Sequence, residues 1–467
     1  VKTTIDPVNT NARSRAVDLL STYGMVVVLL LLCVFFSVVT YREQYPSGSE
    51  AGEQVANEIL AAEGSRARVL IVAQDNPADR AFANSADATF AAAAPNANEA
   101  EAGQRHRVVV GTPRDARQAL QQLVDENLQL DAIAATDAAA SWLVIADRAR
   151  LFPSLASAEV YTPAAERWPI FLKRSNLLNI ANQIAVIAIV AIGATLVIIT
   201  GGIDLSVGSL LALSAVVAAL LIELGGGTQA SVLVMIGACL VATVVCGLVG
   251  LSSGALITLL RIRPFIVTLA MMLVARGAAY ILARGQSVYK VPEAFVWLGR
   301  GADLLGIPNA VVLTVLLYAA AHVLMSRTVL GRHLYAVGGN PRAAFLSGIP
   351  VKSVVMFAYL CSGALAGVGG VVMASTYRGG SPTYGNMYEL YTIAAVVVGG
   401  TSLKGGSGRV FGTLVGALVI AVIQNGMNLT SVEPYTQMVV LGLVILGAVI
   451  LDTLRQRLTT GRMHEDT

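Results

Sequence analysis

Ionisable side chains stand at three places where this sequence is otherwise apolar. Asp204 lies in "GGIDLSVGSLLALS", Arg276 in "MMLVARGAAY" and Glu389 at the head of "ELYTIAAVVVGG". Amides fall near the ends of apolar runs at Asn182, Gln183, Asn425 and Asn428. The chemistry open to this set is recognition: carboxylate and amide oxygens accept from hydroxyls, while guanidinium and amide N–H groups donate. The same amides also serve to tie helices together. A charge inside an apolar span is a functional candidate by default, and Arg276 needs a partner, for which Asp204 and Glu389 are the candidates. A structural ion pair and a role in transport both fit it. His322 reads as a packing residue. No spacing suggests a metal site, a catalytic pair, a nucleophile elbow or a nucleic-acid patch, so no catalytic residue is assigned.

Asp204 itself has two compatible readings. Gly201-Gly202 interrupts an apolar path, and Asp204 and Ser206 offer acceptors where the next helix begins, which suits an amino-terminal cap. A helix broken at membrane depth is tolerated only where protein or water satisfies the freed backbone, so such breaks tend to line translocation paths. "GGTSLKGGSG" at 399–408 echoes this break.

The elements that carry these residues follow from composition. The chain has 467 residues, 55% hydrophobic and 13% charged, with mean hydropathy +0.68. A soluble domain is about a quarter charged, so the fold class is an all-α polytopic membrane protein. Spanning a bilayer takes roughly 20 apolar residues. Ten candidate spans occur near 22–40, 178–200, 206–224, 231–259, 264–283, 308–325, 353–376, 387–400, 410–427 and 436–453. The first is too long for a cleaved secretion signal and reads as a retained helix. Val1 in place of Met reads as a non-AUG start, which fits a bacterial source. Cys33, Cys239, Cys246 and Cys361 all fall in apolar spans and read as small core residues.

Residues 42–167 break the pattern. They hold 18 acidic and 11 basic residues, none of them lysine, a net charge of −7. This is a soluble domain inserted between the first two membrane helices, dividing the chain into 1–41, 42–167 and 168–467. "ARVLIVA", "RVVV" and "DAIAA" read as strands with helical stretches between, which implies a small parallel α/β layer. "AAAAPNANEAEAGQ" (91–104) reads as a surface loop.

Lys and Arg in short loops stay cytoplasmic. Alternate loops carry Lys2, Arg13 and Arg15; Arg261 and Arg263; Arg327, Arg332, Arg342 and Lys352; Lys404 and Arg409; and Arg455, Arg457 and Arg462. Both termini are therefore expected inside and the acidic insert outside. The longest inside loop, 326–353, contains "NPRAAFLSG". Asn340 suits a cap, Pro341 the first helical position and Gly348 a left-handed close, predicting a short helix over Arg342 to Ser347. Such a helix fits a docking element or a solvated surface turn.

"GGIDLSVGSLLALSAVVAA", "RPFIVTLAMMLVARGAAYI", "LGRHLYAVGGNPRAAFLSGIPV" and "ELYTIAAVVVGGTSLKGGSGRVFGTLVGALVIAVIQNGMNL" resemble, in order from about Trp168 to the carboxyl end, the membrane subunits of bacterial ABC importers for monosaccharides of the ribose/xylose/galactose type. The resemblance implies a homodimeric permease in the inner membrane, coupled through Asn340, Pro341, Arg342, Ala343, Phe345 and Gly348 to a separate cytoplasmic ATPase. ATP and Mg would then bind that partner and no cofactor this chain. The sequence agrees in having no G-x-x-x-x-G-K-[ST] phosphate loop. A periplasmic sugar-binding protein is a further expected partner, and no nucleic acid is. The alternatives are a membrane receptor sensing sugar through its outer lobe and an ion-driven secondary carrier.

The insert resembles one lobe of the type I periplasmic sugar-binding proteins. There the residues after the "DAI-A" strand carry an aspartate that reaches a sugar hydroxyl, and Asp137 stands at that position, after Thr136 where the family usually has Asn. A single lobe buries too little of a sugar to bind it well. Docking of a binding protein, or an outer cap, is the expectation, ahead of a domain that merely folds or a built-in receptor.

Overall fold

A computed structural model describes residues 8–93 and 105–465. Most of the 91–104 stretch thus lies outside the described residues. Two compact units emerge, one from Tyr41–Pro169 and one from the chain on either side of it.

Helix α1 (Val8–Val39) precedes the smaller unit. Within that unit run β1 (Tyr41–Gln44), α2 (Ser49–Glu63), β2 (Val69–Gln74), α3 (Pro77–Ala93), β3 (His106–Gly111), α4 (Pro113–Asp125) and β4 (Ala132–Ala135). Three single-turn helices follow, α5 (Asp137–Ala140), α6 (Leu143–Ala146) and α7 (Arg148–Leu151), then β5 (Glu159–Tyr161) and β6 (Glu166–Pro169). Strands β3-β2-β4-β5 form one parallel sheet. Residues Val69 to Ala73 of β2 are all buried, as a central parallel strand covered on both faces requires. Val55, Ile59 and Phe82 pack on one face, and Leu120, Leu123 and Ile145 on the other. The alternation of strand and helix in the sequence produces this layer order directly. Strands β1 and β6 pair antiparallel, Tyr41 opposite Pro169. That pairing carries the unit past the 42–167 expected from charge.

The larger unit continues with α8 (Arg174–Ile199), α9 (Val207–Leu224), α10 (Val232–Leu259), α11 (Pro264–Leu282), α12 (Trp297–Arg300), α13 (Asn309–Arg327) and α14 (Val329–Gly339). It ends with α15 (Pro341–Leu346), α16 (Val351–Tyr377), α17 (Tyr388–Val398), α18 (Val410–Leu429) and α19 (Pro434–Glu465). Seven of these, α8, α9, α10, α11, α13, α16 and α18, are long and apolar enough to cross a membrane. The unit is therefore a predominantly helical, polytopic membrane structure. The other expected spans hold shorter apolar stretches, Gly24–Val39, Tyr388–Val398 and Pro434–Gly447. Helix α17 has 11 residues, about 16 Å at the α-helical rise. It falls well short of the roughly 30 Å hydrocarbon core, so the expected span at 387–400 is a half-length helix.

Helix α8 is central: 89% of its most apolar window is buried, against 22% for α11. A helix apolar all round belongs in a bundle core. Small residues set the close crossing of α10 and α16, where Gly250 and Gly254 meet Tyr359, Met356 and Gly363, a packing mode that suits membrane helices lacking a hydrophobic drive to associate. All four cysteines are free. His322 is exposed on α13 rather than packed inside.

Candidate functional site

The sequence-selected residues occupy several separate places. The first is the break between α8 and α9. Gly201 adopts φ +81°, a left-handed turn that glycine enters without steric cost. The Asp204 side chain is then buried, 2% exposed. Its Oδ1 accepts from the Ser206 amide at 2.9 Å and the Ser206 hydroxyl at 2.6 Å, and its Oδ2 accepts from Ser362 of α16 at 2.8 Å. Ser206 holds the cap position of α9. Asp204 thus bends the chain into the cap and fastens it to α16. Thr268 and Tyr359 donate to the freed carbonyl of Ile203 at 3.1 and 3.4 Å. Ser362 and Tyr359 carried no signal in the sequence, because their role is set by which helices cross.

The second place surrounds Arg276. Its expected partners are corrected: among the described residues it forms no ion pair with Asp204 or Glu389. Its Nη1 donates instead to the carbonyls of Pro382 and Tyr384, at 2.8 and 2.7 Å. Those carbonyls belong to a non-helical segment between α16 and α17, "RGGSPTYGNM" (378–387). Unwound backbone lacks the internal bonds of a helix, and the guanidinium supplies donors to it. Gly380 exchanges backbone hydrogen bonds with Val288 at 2.8 and 2.9 Å, and Ser381 is bound by Ser287 at 2.8 Å. The signal that locates this segment is its Gly-Gly-Ser-Pro cluster between two apolar runs. Glu389 follows in the first turn of α17, and its Oε2 is buried without a hydrogen-bond partner.

The amides do not join these groups. Asn182 donates to the Gly299 carbonyl at 3.4 Å, and Gln183 is exposed on α8. Asn425 exchanges amide hydrogen bonds with Asn176 at 2.9 and 3.0 Å, tying α8 to α18. Asn428 accepts from Gln437 at 2.9 Å.

The third place is the α14–α15 corner. The Asn340 side chain accepts from the amides of Arg342 and Ala343 at 3.1 and 3.0 Å. Pro341 occupies the first helical position, and Gly348 follows at φ +83°. Phe345 and Leu346 are 69% and 78% exposed, while Ala344 packs inward. Behind this corner, Gly338 lies so close to the Ile199 carbonyl and the Gly406 amide that a Cβ would collide with both. Gly406 donates to Ile199 at 2.8 Å, and Tyr335 to the Gly408 carbonyl at 2.7 Å. The end of α14, the end of α8 and the 399–408 break therefore meet through backbone contacts.

In the smaller unit, Asp137 is exposed in the first turn of α5. Thr136 caps that turn and donates to the buried Asp79 at 3.1 Å. A groove of about 520 Å³ at the end of β2 is lined by Asp75, Asn76, Pro77, Arg80, Ala81 and Asn84, not by Asp137. Among the described residues no His, Cys, Asp or Glu cluster could hold a metal.

Comparison with known proteins finds relatives in sequence. Residues 176–449 match a family model described as "Branched-chain amino acid transport system / permease component". The match begins after the smaller unit. The chain is 42% identical over 292 residues to the ribose import permease protein RbsC of Escherichia coli K12, covering 62% of this chain and 88% of that one. It is 43% identical over 287 residues to RbsC of Bacillus subtilis, covering 61% and 86%. With the D-allose transport system permease protein AlsC of Escherichia coli K12 it shares 38% over 284 residues, covering 61% and 85%. No solved structure matches.

Proposed function

The chain belongs to the family of permease components of branched-chain amino acid transport systems, and from that premise we propose that it is the membrane subunit of an ATP-driven importer for a monosaccharide. The observation that carries this reading is the 42% identity to a ribose import permease over 88% of that protein. The chain conducts and does no covalent chemistry. ATP and Mg bind a separate cytoplasmic ATPase, docked on α15. Support for that docking comes from Phe345 and Leu346, apolar side chains held out on a capped helix. Exposed apolar groups flanked by charge suit an interface. The bases Arg342, Lys352, Lys404 and Arg409 support a cytoplasmic position for that face, and for both termini, in a bacterial inner membrane. The Tyr41–Pro169 unit then lies on the opposite, periplasmic side, where its net negative charge suits docking of a sugar-binding protein. Two copies of the permease form the path between them.

The test is uptake of labelled ribose, allose and arabinose into vesicles holding this chain with its ATPase and binding protein. ATP-dependent accumulation of one or more of them is expected. Uptake that continues without ATP and collapses with the proton gradient would identify a secondary carrier instead.

A further inference from the structure

We propose that the unwound segment Gly379–Met387, with Arg276, Glu389 and Ser209, forms a binding station for a polyhydroxy solute within the helix bundle. This rests on the importer reading and names residues that contact its cargo. The first observation is depth. Gly380 packs against the Ala215 carbonyl and Ala219 of α9, whereas Gly385 packs against the Gly208 backbone. The segment therefore descends along part of a membrane-crossing helix, roughly 10–16 Å at the helical rise. Non-helical backbone at such depth occurs only where protein buries it or where it lines a polar space. Arg276 holds two of its carbonyls in place.

A second, independent observation points to a ligand. Ser209 is 1% exposed, and its hydroxyl has no hydrogen-bond partner; Glu389 Oε2 is buried and equally unpaired. Both flank the unwound segment: Glu389 Oε2 presses on Gly208, where a Cβ would collide with it and with the Gly385 carbonyl, and Ser209 is the next residue along α9. A buried polar group without a partner is costly, and here two such groups flank the unwound segment.

Their chemistry selects the solute. A carboxylate oxygen accepts only, a serine hydroxyl both donates and accepts, and a guanidinium donates only. Arg276 and Glu389 bring one positive and one negative group to the same unwound segment, which leaves no net charge for an ion to neutralise. A vicinal diol matches this set: one hydroxyl donates to Glu389 while its neighbour exchanges with Ser209 or accepts from the guanidinium. A free cation would satisfy Glu389 and meet Arg276 as a like charge.

The experiment uses the full chain with its ATPase and binding protein in vesicles, measuring ribose, allose and arabinose uptake for wild type, Ser209→Ala and Glu389→Gln. Thermal midpoints of the purified complexes identify any variant that fails to fold. Loss of a hydrogen bond to a charged group predicts about a tenfold drop in uptake for Glu389→Gln, and less for Ser209→Ala. Because different sugars present their hydroxyls differently, the ratio among the transported sugars should also change. Unchanged uptake in folded variants, or an equal loss for every sugar, would overturn the station while leaving the importer intact. Wild-type vesicles that move no monosaccharide would overturn the importer reading, and the station with it.

Discussion

At residue scale, Asp204 has both carboxylate oxygens committed to hydroxyl and amide donors inside the protein. Asp204→Ala strands three donors in a buried place and should destabilise by roughly 1–3 kcal/mol or more. Asp204→Asn keeps an oxygen for Ser206 and presents an amide that Ser362 can accept, so its loss should be smaller. Thermal unfolding of the purified protein orders the two. Asp115 gives a pH-dependent counterpart: the Thr112 amide and hydroxyl donate to Oδ2 at 2.8 and 2.7 Å and hold its carboxyl below the ordinary carboxylate range. A depressed folded-state value contributes stability above the unfolded value, and that contribution is lost as pH falls through the folded one. Amide exchange over 113–125 should therefore be faster in Asp115→Asn than in wild type near pH 7. Referenced to the intrinsic rate at each pH, the difference should close under acid conditions.

At the scale of elements, the corner at α14 and α15 is a joint. The contact of Gly338 with Ile199 and Gly406 links the helix proposed to dock the ATPase to both neighbouring breaks. A side chain there pushes the three backbones apart, whereas a Cβ at Gly339 meets nothing within 4 Å. Gly338→Ala should lower sugar moved per ATP hydrolysed several-fold, and Gly339→Ala should leave it near wild type. Parallel measurement of uptake and phosphate release in one vesicle preparation decides between a joint and a passive turn.

At the scale of the whole molecule, β1 and β6 place the two ends of the smaller unit side by side, with Tyr41 opposite Pro169. Paired strands run about 5 Å apart, so a short turn can replace the entire unit. A chain with Thr40 joined to Ile170 through such a turn should still enter the membrane and bind the ATPase. If the unit docks a binding protein, its removal should abolish uptake at low sugar concentration. Uptake unchanged by excision would leave the unit without a transport role.

The sequence by itself determined what depends on composition and short range. Sparse charge gave a membrane bundle, and the excess of acid over 42–167 marked the inserted unit. Asn340-Pro341 and Gly348 located a capped helix because capping is settled by residues three or four apart. The ordered motifs around Asp204 and Asn340 gave the family. Only the tertiary structure decided which polar groups meet. Arg276 was legible as a charge needing a partner, but its partners are backbone carbonyls some 106 and 108 residues away, which no local pattern encodes. The half length of α17 was not legible, because hydropathy counts apolar residues without showing where in the run the helix begins. Ser209 and Ser362 were silent because a serine in an apolar run acquires a role only from the helix that crosses it.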